Sequence, residues 1–132
     1  MFPPNTRILV LDDMMTMRKV VAKTLKELGF TDIQDGADGN IGWEILNSSN
    51  PPIQLVISDW NMPNCTGLDL LKKVRADQRF AKIPFVLLTA EAETHQVMAA
   101  MQAGVTNYII KPFTPDTIKE KLTQAYKKVA GK

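Results

Sequence analysis

The chain has a single cysteine, Cys65, so no disulfide can form within it. That fits a reducing compartment and leaves folding to an ordinary core rather than to covalent staples. Long apolar runs are missing as well. None exceeds five residues, whereas a membrane-spanning helix needs about 20. The opening residues, Met1-Phe2-Pro3-Pro4-Asn5-Thr6-Arg7, show neither the basic start nor the apolar stretch of a secretory signal. A soluble, cytoplasmic protein is expected. Neither sign of charge dominates: the net charge is +2, and no concentrated basic face supports nucleic-acid binding. The lysines between residues 119 and 132 read as one solvated helix face. There is no internal repeat, linker or low-complexity segment.

What is present alternates regularly. With 132 residues, 45% hydrophobic and 23% charged, the chain matches one domain with one ordinary core, expected to span residues 1–132. Ile8-Leu9-Val10-Leu11 is a buried strand. Met17, Val20, Val21, Leu25 and Leu28 recur at helical spacing until Gly29 stops the helix. A weaker strand over 32–36 and a short helix carrying Ile41, Ile45 and Leu46 follow, broken by Pro51-Pro52. Gln54 to Ser58 is the third strand. Thr66, with Asp69 three residues on, signals the start of a helix carrying Leu70, Leu71 and Val74. Pro84 opens the strand Phe85-Val86-Leu87-Leu88. Val97, Met98 and Met101 lie on a helix ended by Gly104, and residues 106–110 form the fifth strand. Thr114 and Pro115 open a last helix with a buried stripe of Ile118, Leu122, Ala125 and Val129. Five successive β–α units imply an α/β fold, a parallel five-stranded sheet covered on both faces. The doubly wound, flavodoxin-like (βα)5 order 2-1-3-4-5 is one such arrangement, with its ligand site at the carboxyl ends of the strands.

The polar residues that follow the strands are then informative. The first strand ends in Asp12-Asp13, the third in Asp59, the fourth in Thr89 and the fifth in Lys111-Pro112. Taken singly, these are a helix cap, a turn former, a strand residue and a solvated tip. Together they converge on one sheet edge. Three carboxylates at that range repel one another and call for a proton or a cation. An all-oxygen set with room for waters and a phosphate suits Mg²⁺. Lys111 adds a positive charge and Thr89 a hydroxyl donor, which favours a phosphoryl group on a carboxylate oxygen. Asp59, at the tip of the central strand, is the expected nucleophile.

Five segments carry a family resemblance: Val10-Leu11-Asp12-Asp13, Leu25 to Phe30, Val56 to Asn64, Leu88-Thr89-Ala90-Glu91-Ala92, and Tyr108 to Phe113. They span nearly the whole chain. The sequence resembles the receiver domains of two-component response regulators, and among them the CheY-type chemotaxis receivers. The resemblance implies that Asp59 accepts a phosphoryl group from a histidine of a sensor kinase of the CheA type. It implies Mg²⁺ held by Asp13 and Asp59 with the backbone carbonyl of Asn61, while Asp12 acts largely through water. It makes Lys111 the phosphate's partner, with a cis bond to Pro112. Thr89 and Tyr108 become the switch pair, and Asn61 and Glu91 tune loss of the phosphoryl group. The output face falls on the fourth helix, fifth strand and fifth helix, with contacts at Ala92, Val97, Met101, Tyr108, Ile110 and Lys121. Packing alone is the other reading of Val97 and Met101. The resemblance also implies a flagellar motor switch as target, room for a phosphatase, a monomeric state and no enzymatic role.

Some positions depart from that pattern. Cys65-Thr66 stands where the family has Met-Asp. Gly36 and Gly42 stand at positions that are commonly alanine, which would loosen the second β–α unit. Glu93 and Thr94 stand where chemotaxis receivers carry two lysines, removing positive charge from the output face. Cys65 itself reads as a loop filler rather than a redox sensor. Two other classes fit less well. An aspartate-nucleophile phosphohydrolase would carry a second aspartate where Asn61 stands, and a flavodoxin-type carrier would place a phosphate loop where Asp12-Asp13 would repel it. Within the family, a phosphate sink or a non-flagellar partner stays open.

Overall fold

A computed structural model describes residues 1–90 and 94–130. Five β–α units run in succession. They are β1 (Arg7–Leu11) and α1 (Met15–Glu27), β2 (Asp32–Gly36) and α2 (Gly39–Ser48), and β3 (Leu55–Asp59) and α3 (Gly67–Ala76). Then come β4 (Phe85–Thr89) and α4 (Thr94–Gln102), and β5 (Asn107–Ile110) and α5 (Pro115–Ala130). The strands form one sheet in the order β2-β1-β3-β4-β5, and every neighbouring pair is parallel.

Alternation along the strands sorts the core into two layers, because successive side chains leave a strand on opposite faces. Ile8 and Val10 join Val21, Leu25, Ile118 and Leu122 under α1 and α5. Leu9 and Leu11 join Leu46, Leu70, Leu71 and Val74 under α2 and α3, with Ala100 of α4. The central strands β3 and β4 are buried at every residue. That is why each opens on a continuous apolar run, Leu55-Val56-Ile57 and Phe85-Val86-Leu87-Leu88, rather than alternating.

Local signals set the helix ends. Thr66 accepts the Asp69 N–H at 3.1 Å and caps α3. Thr114 accepts the Thr117 N–H ahead of α5. Gly29 and Gly104 adopt φ of +104° and +91° just past α1 and α4, a backbone region that excludes most side chains. Lys111-Pro112 is cis, as the resemblance implies, and Asn50-Pro51 is cis too. At the amino-terminus Phe2 is buried and meets Tyr126 of α5 edge-on at 5.1 Å, while Thr31 N–H reaches Pro4 O.

Three expectations change. Val20 is 45% exposed, and Thr24 takes the buried place in α1. The apolar arc is therefore centred one position away from the one that includes Val20. Met101 is 57% exposed and Met98 55%, so packing does not account for either side chain. Gly36 and Gly42 are explained by close approach rather than looseness. A Cβ on Gly42 would collide with Leu11 Cδ1, and one on Gly36 would stand 2.9 Å from Ile41 Cγ2. Among the described residues no helix is long and apolar enough to cross a membrane.

Candidate functional site

The parallel sheet delivers the strand-end residues to one edge. Asp12 and Asp13 follow β1, Asp59 and Thr89 end β3 and β4, and Lys111 follows β5. Asp12 is 1% exposed, whereas Asp13 lies in solvent. Lys111 Nζ donates to Asp59 Oδ1 at 3.0 Å and lies 3.5 Å from Asp12 Oδ2. Its own backbone is held by Thr89 O at 2.7 Å. Thr89 is buried, and its hydroxyl lies 3.4 Å from Gln96 Oε1 on α4, a long contact.

Asp12, Asp13 and Asp59 each offer a carboxylate oxygen, and these oxygens all lie within 4.8 Å of one another. One ammonium against three carboxylates leaves the cluster negative. Burial pushes the Asp59 carboxyl above its ordinary range; the Lys111 bond and charge pull it back without cancelling the shift, and Asp12 pushes it further up. An all-oxygen, net-negative cluster beside a half-open edge fits a hard divalent cation of the Mg²⁺ class. The same residues give a phosphoryl group a carboxylate to bond and the Lys111 ammonium to lie against, and a cation held by the carboxylates would add a second positive charge.

Neighbours that the sequence does not flag steady this edge. Arg18 donates to Asp12 O at 2.7 Å and to Asp35 Oδ2 at 3.1 Å, which fixes the turn carrying the acid pair. Asp12 Oδ1 also accepts the Met14 N–H, so the side chain makes a short turn; the N-cap of α1 is Met14, which has no side-chain cap. Gly67 lets α3 begin directly against the end of β3, since a Cβ there would collide with Asp59 O. Asp38 caps α2 through the Ile41 N–H and accepts from Asn64 across 26 residues. Both bonds hold its carboxyl below the ordinary range, the Ile41 bond most. None of these partnerships has a sequence period. Only the turn-forming types at Asp38-Gly39 and Asn64 hint at them.

The other expected residues lie where the elements carry them. Asn61 is exposed in the loop after β3. Tyr108 is half-buried on β5 with the Lys121 ammonium 5.4 Å above its ring. Val97 is half-buried on α4, and Ile110 is 39% exposed. Glu91, Ala92 and Glu93 lie outside the described residues. Cys65 is buried, and burial pushes its thiol up, away from the reactive thiolate. Two cavities, about 590 and 670 Å³, open at the opposite edge around Arg75 and Phe80. A phosphoryl group needs converging charges more than cavity volume, so we place the site at the acidic edge.

Known proteins resemble this chain along most of its length. Residues 8–123 match the family model described as response regulator receiver domain. The chain is 48% identical over 116 residues to chemotaxis protein CheY1 of Helicobacter pylori, covering 88% of this chain and 93% of that protein. It is 42% identical over 125 residues to chemotaxis protein CheY of Pseudomonas aeruginosa, covering 95% and 99%. Among solved structures, chemotaxis response regulator CheY4 of Vibrio cholerae superposes with a TM-score of 0.84 at 28% identity, over 92% of this chain and 98% of that one.

Proposed function

This chain belongs to the response regulator receiver domain family, and on that premise we propose that it takes a phosphoryl group on Asp59 and relays the event as a signal. In this reading a phosphohistidine on a CheA-type sensor kinase is the donor. An Asp59 carboxylate oxygen attacks phosphorus, the phosphorus–nitrogen bond breaks, and the imidazole leaves. Asp59 stands at the tip of the central strand, within reach of the Lys111 ammonium. Lys111 offsets charge on the transferring oxygens, and the Thr89 hydroxyl donates to one of them. Mg²⁺, when bound by Asp13, Asp59 and the Asn61 carbonyl with Asp12 behind water, supplies charge neutralisation and orientation.

The output follows from what the phosphoryl group binds best. Only one position of Thr89 suits it, so phosphorylation biases an existing equilibrium between arrangements of Thr89 and Tyr108. A complete swing needs about 5 kcal/mol of differential binding. The face on α4, β5 and α5 carries the consequence, with Ala92, Val97, Met101, Tyr108, Ile110 and Lys121 as contacts. Its exposed Met98, Met101 and Ile110 suit an amphipathic helix, a recognition mode that uses such apolar anchors. The names of the relatives support a role in chemotaxis, and the family resemblance makes a flagellar motor switch the proposed target. Asn61 and Glu91 are proposed to guide the water that removes the phosphoryl group, giving a lifetime of seconds to minutes. A monomeric, cytoplasmic signalling protein spanning residues 1–132 completes the reading, with a phosphatase as a further kind of partner.

The observation that carries this proposal is the Lys111 ammonium 3.0 Å from Asp59 within the three-carboxylate cluster. Beryllofluoride with Mg²⁺ tests it through Trp60 fluorescence in a Trp43→Phe host. A saturable change that disappears in Asp59→Asn is expected. No response, or one that survives the substitution, overturns the site. Binding of the phosphorylated protein to an amino-terminal flagellar-switch peptide tests the target.

A further inference from the structure

The loop from Trp60 to Thr66 carries Asn61, yet what fixes it lies partly outside the acidic edge. Its base is closed by Trp60 N–H to Leu88 O at 2.8 Å and by Gly67 N–H to Trp60 O at 3.0 Å. Buried Met62 pins its middle. Its far side is tied to the start of α2. Asn64 Nδ2 donates to Asp38 Oδ2 at 3.1 Å, and Gly39 N–H donates to Cys65 O at 3.2 Å. The approach is too close for a side chain at Gly39, whose Cβ would stand 2.7 Å from both Cys65 O and Cys65 Sγ. Asn64 is the only described non-glycine residue with positive φ, at 67°. That backbone turn places its amide in reach of Asp38.

We propose that Asp38, acting through Asn64, is a positioning residue that latches the phosphoacceptor loop to α2 and so presents Asn61 to the cation. The inference deepens the reading of the site given above and rests on it for the role of Asn61. Asp38 touches neither the cation nor the phosphoryl group. One oxygen caps α2 and the other holds Asn64, so one carboxylate fixes helix and loop relative to each other. A charge-assisted bond from amide to carboxylate is stronger than a neutral one. A loop already ordered has less conformational freedom to lose when it takes up a ligand.

Three variants separate the latch from the cap. Asn64→Gly keeps the left-handed backbone at no steric cost and leaves the Asp38–Ile41 bond intact. Asp38→Asn can keep both bonds if the Asn64 amide turns over. Asp38→Ala removes latch and cap together. In metal-free protein, amide hydrogen exchange at Gly39 and Cys65 should quicken about tenfold in Asn64→Gly, as for loss of one such bond. Mg²⁺ affinity, read from Trp60 in the Trp43→Phe host, should weaken about threefold or more in Asn64→Gly and by less than about twofold in Asp38→Asn. The midpoint of thermal unfolding, measured alongside, separates a general loosening from an effect on the loop. Unchanged exchange and unchanged Mg²⁺ affinity in Asn64→Gly would overturn the latch. A parent protein that ignores Mg²⁺ would instead sink the phosphoacceptor reading. The exchange comparison would then still decide the latch: faster exchange supports it and unaltered exchange rejects it.

Discussion

Replacing Asp59 with asparagine should make the metal-free protein more stable, although it removes the residue on which the proposed signal depends. At an effective dielectric near 20, the Lys111 ammonium at 3.0 Å attracts Asp59 by about 5.5 kcal/mol. Asp12 and Asp13, with oxygens no more than 4.8 Å away, each repel it by at least about 3.5 kcal/mol on the same basis. Solvent around exposed Asp13 roughly halves that repulsion, so the charge interactions nearly cancel. What remains is the cost of holding a carboxylate in a buried place. Asparagine keeps an oxygen for Lys111 without the charge, and the expected gain is about 1–2 kcal/mol. The pH dependence follows from the raised Asp59 pKa. Folding holds the extra proton, so stability from this group is fully present below its ordinary value of 3.8 and is lost as pH rises through the folded value. The assay is urea unfolding in EDTA across pH 4–8, comparing midpoints at constant slope. The parent should lose stability with rising pH more steeply than Asp59→Asn. Excess Mg²⁺ should then raise the parent's midpoint and leave the variant's nearly unmoved. If Asp59→Asn is the less stable protein in EDTA at pH 7, the picture of a strained acidic edge is wrong.

Other substitutions probe separate parts of the structure. Gly42→Ala should cost about 1–3 kcal/mol in urea unfolding, because its methyl would collide with Leu11; a neutral result would mean α2 moves freely off the sheet. Arg75→Met should cost about 2–3 kcal/mol, since the guanidinium serves the Ile83, Ala81 and Gly104 carbonyls at the edge away from the site. Its beryllofluoride response at Trp60 should persist, and loss of that response in a folded variant would refute the separation of the two edges. Met101→Lys and Ile110→Lys should each change stability by less than about 0.5 kcal/mol, as both side chains are exposed. They should weaken capture of a flagellar-switch peptide severalfold, and full retention would remove this face from the output.

The strand ends are legible because apolar runs of three or four residues stop at or just before acids, a threonine and a lysine. A parallel topology then has no choice but to gather them. The order of strands and the residues of the acidic edge follow from that pattern and from the resemblance it carries. Val20 is not legible, because hydrophobic spacing locates a helix's buried arc only to within about one position. Met101 is not legible either, since a methionine reads the same whether it fills a core or waits for a partner. The pairing of Gly42 with Leu11, of Asp38 with Asn64 and of Arg75 with three carbonyls joins distant segments by contact alone. Such contacts have no period, and only the folded chain reveals them.

The amino-terminal clasp makes an unobtrusive reporter. With Phe2 seated against Tyr126, the first residues ride on α5, one of the elements of the proposed output face. A fluorine nucleus introduced on the buried Phe2 ring should therefore register any tilt of α5 on activation. The same contact warns that a bulky fusion placed directly on Met1 would load the helix whose movement is to be measured.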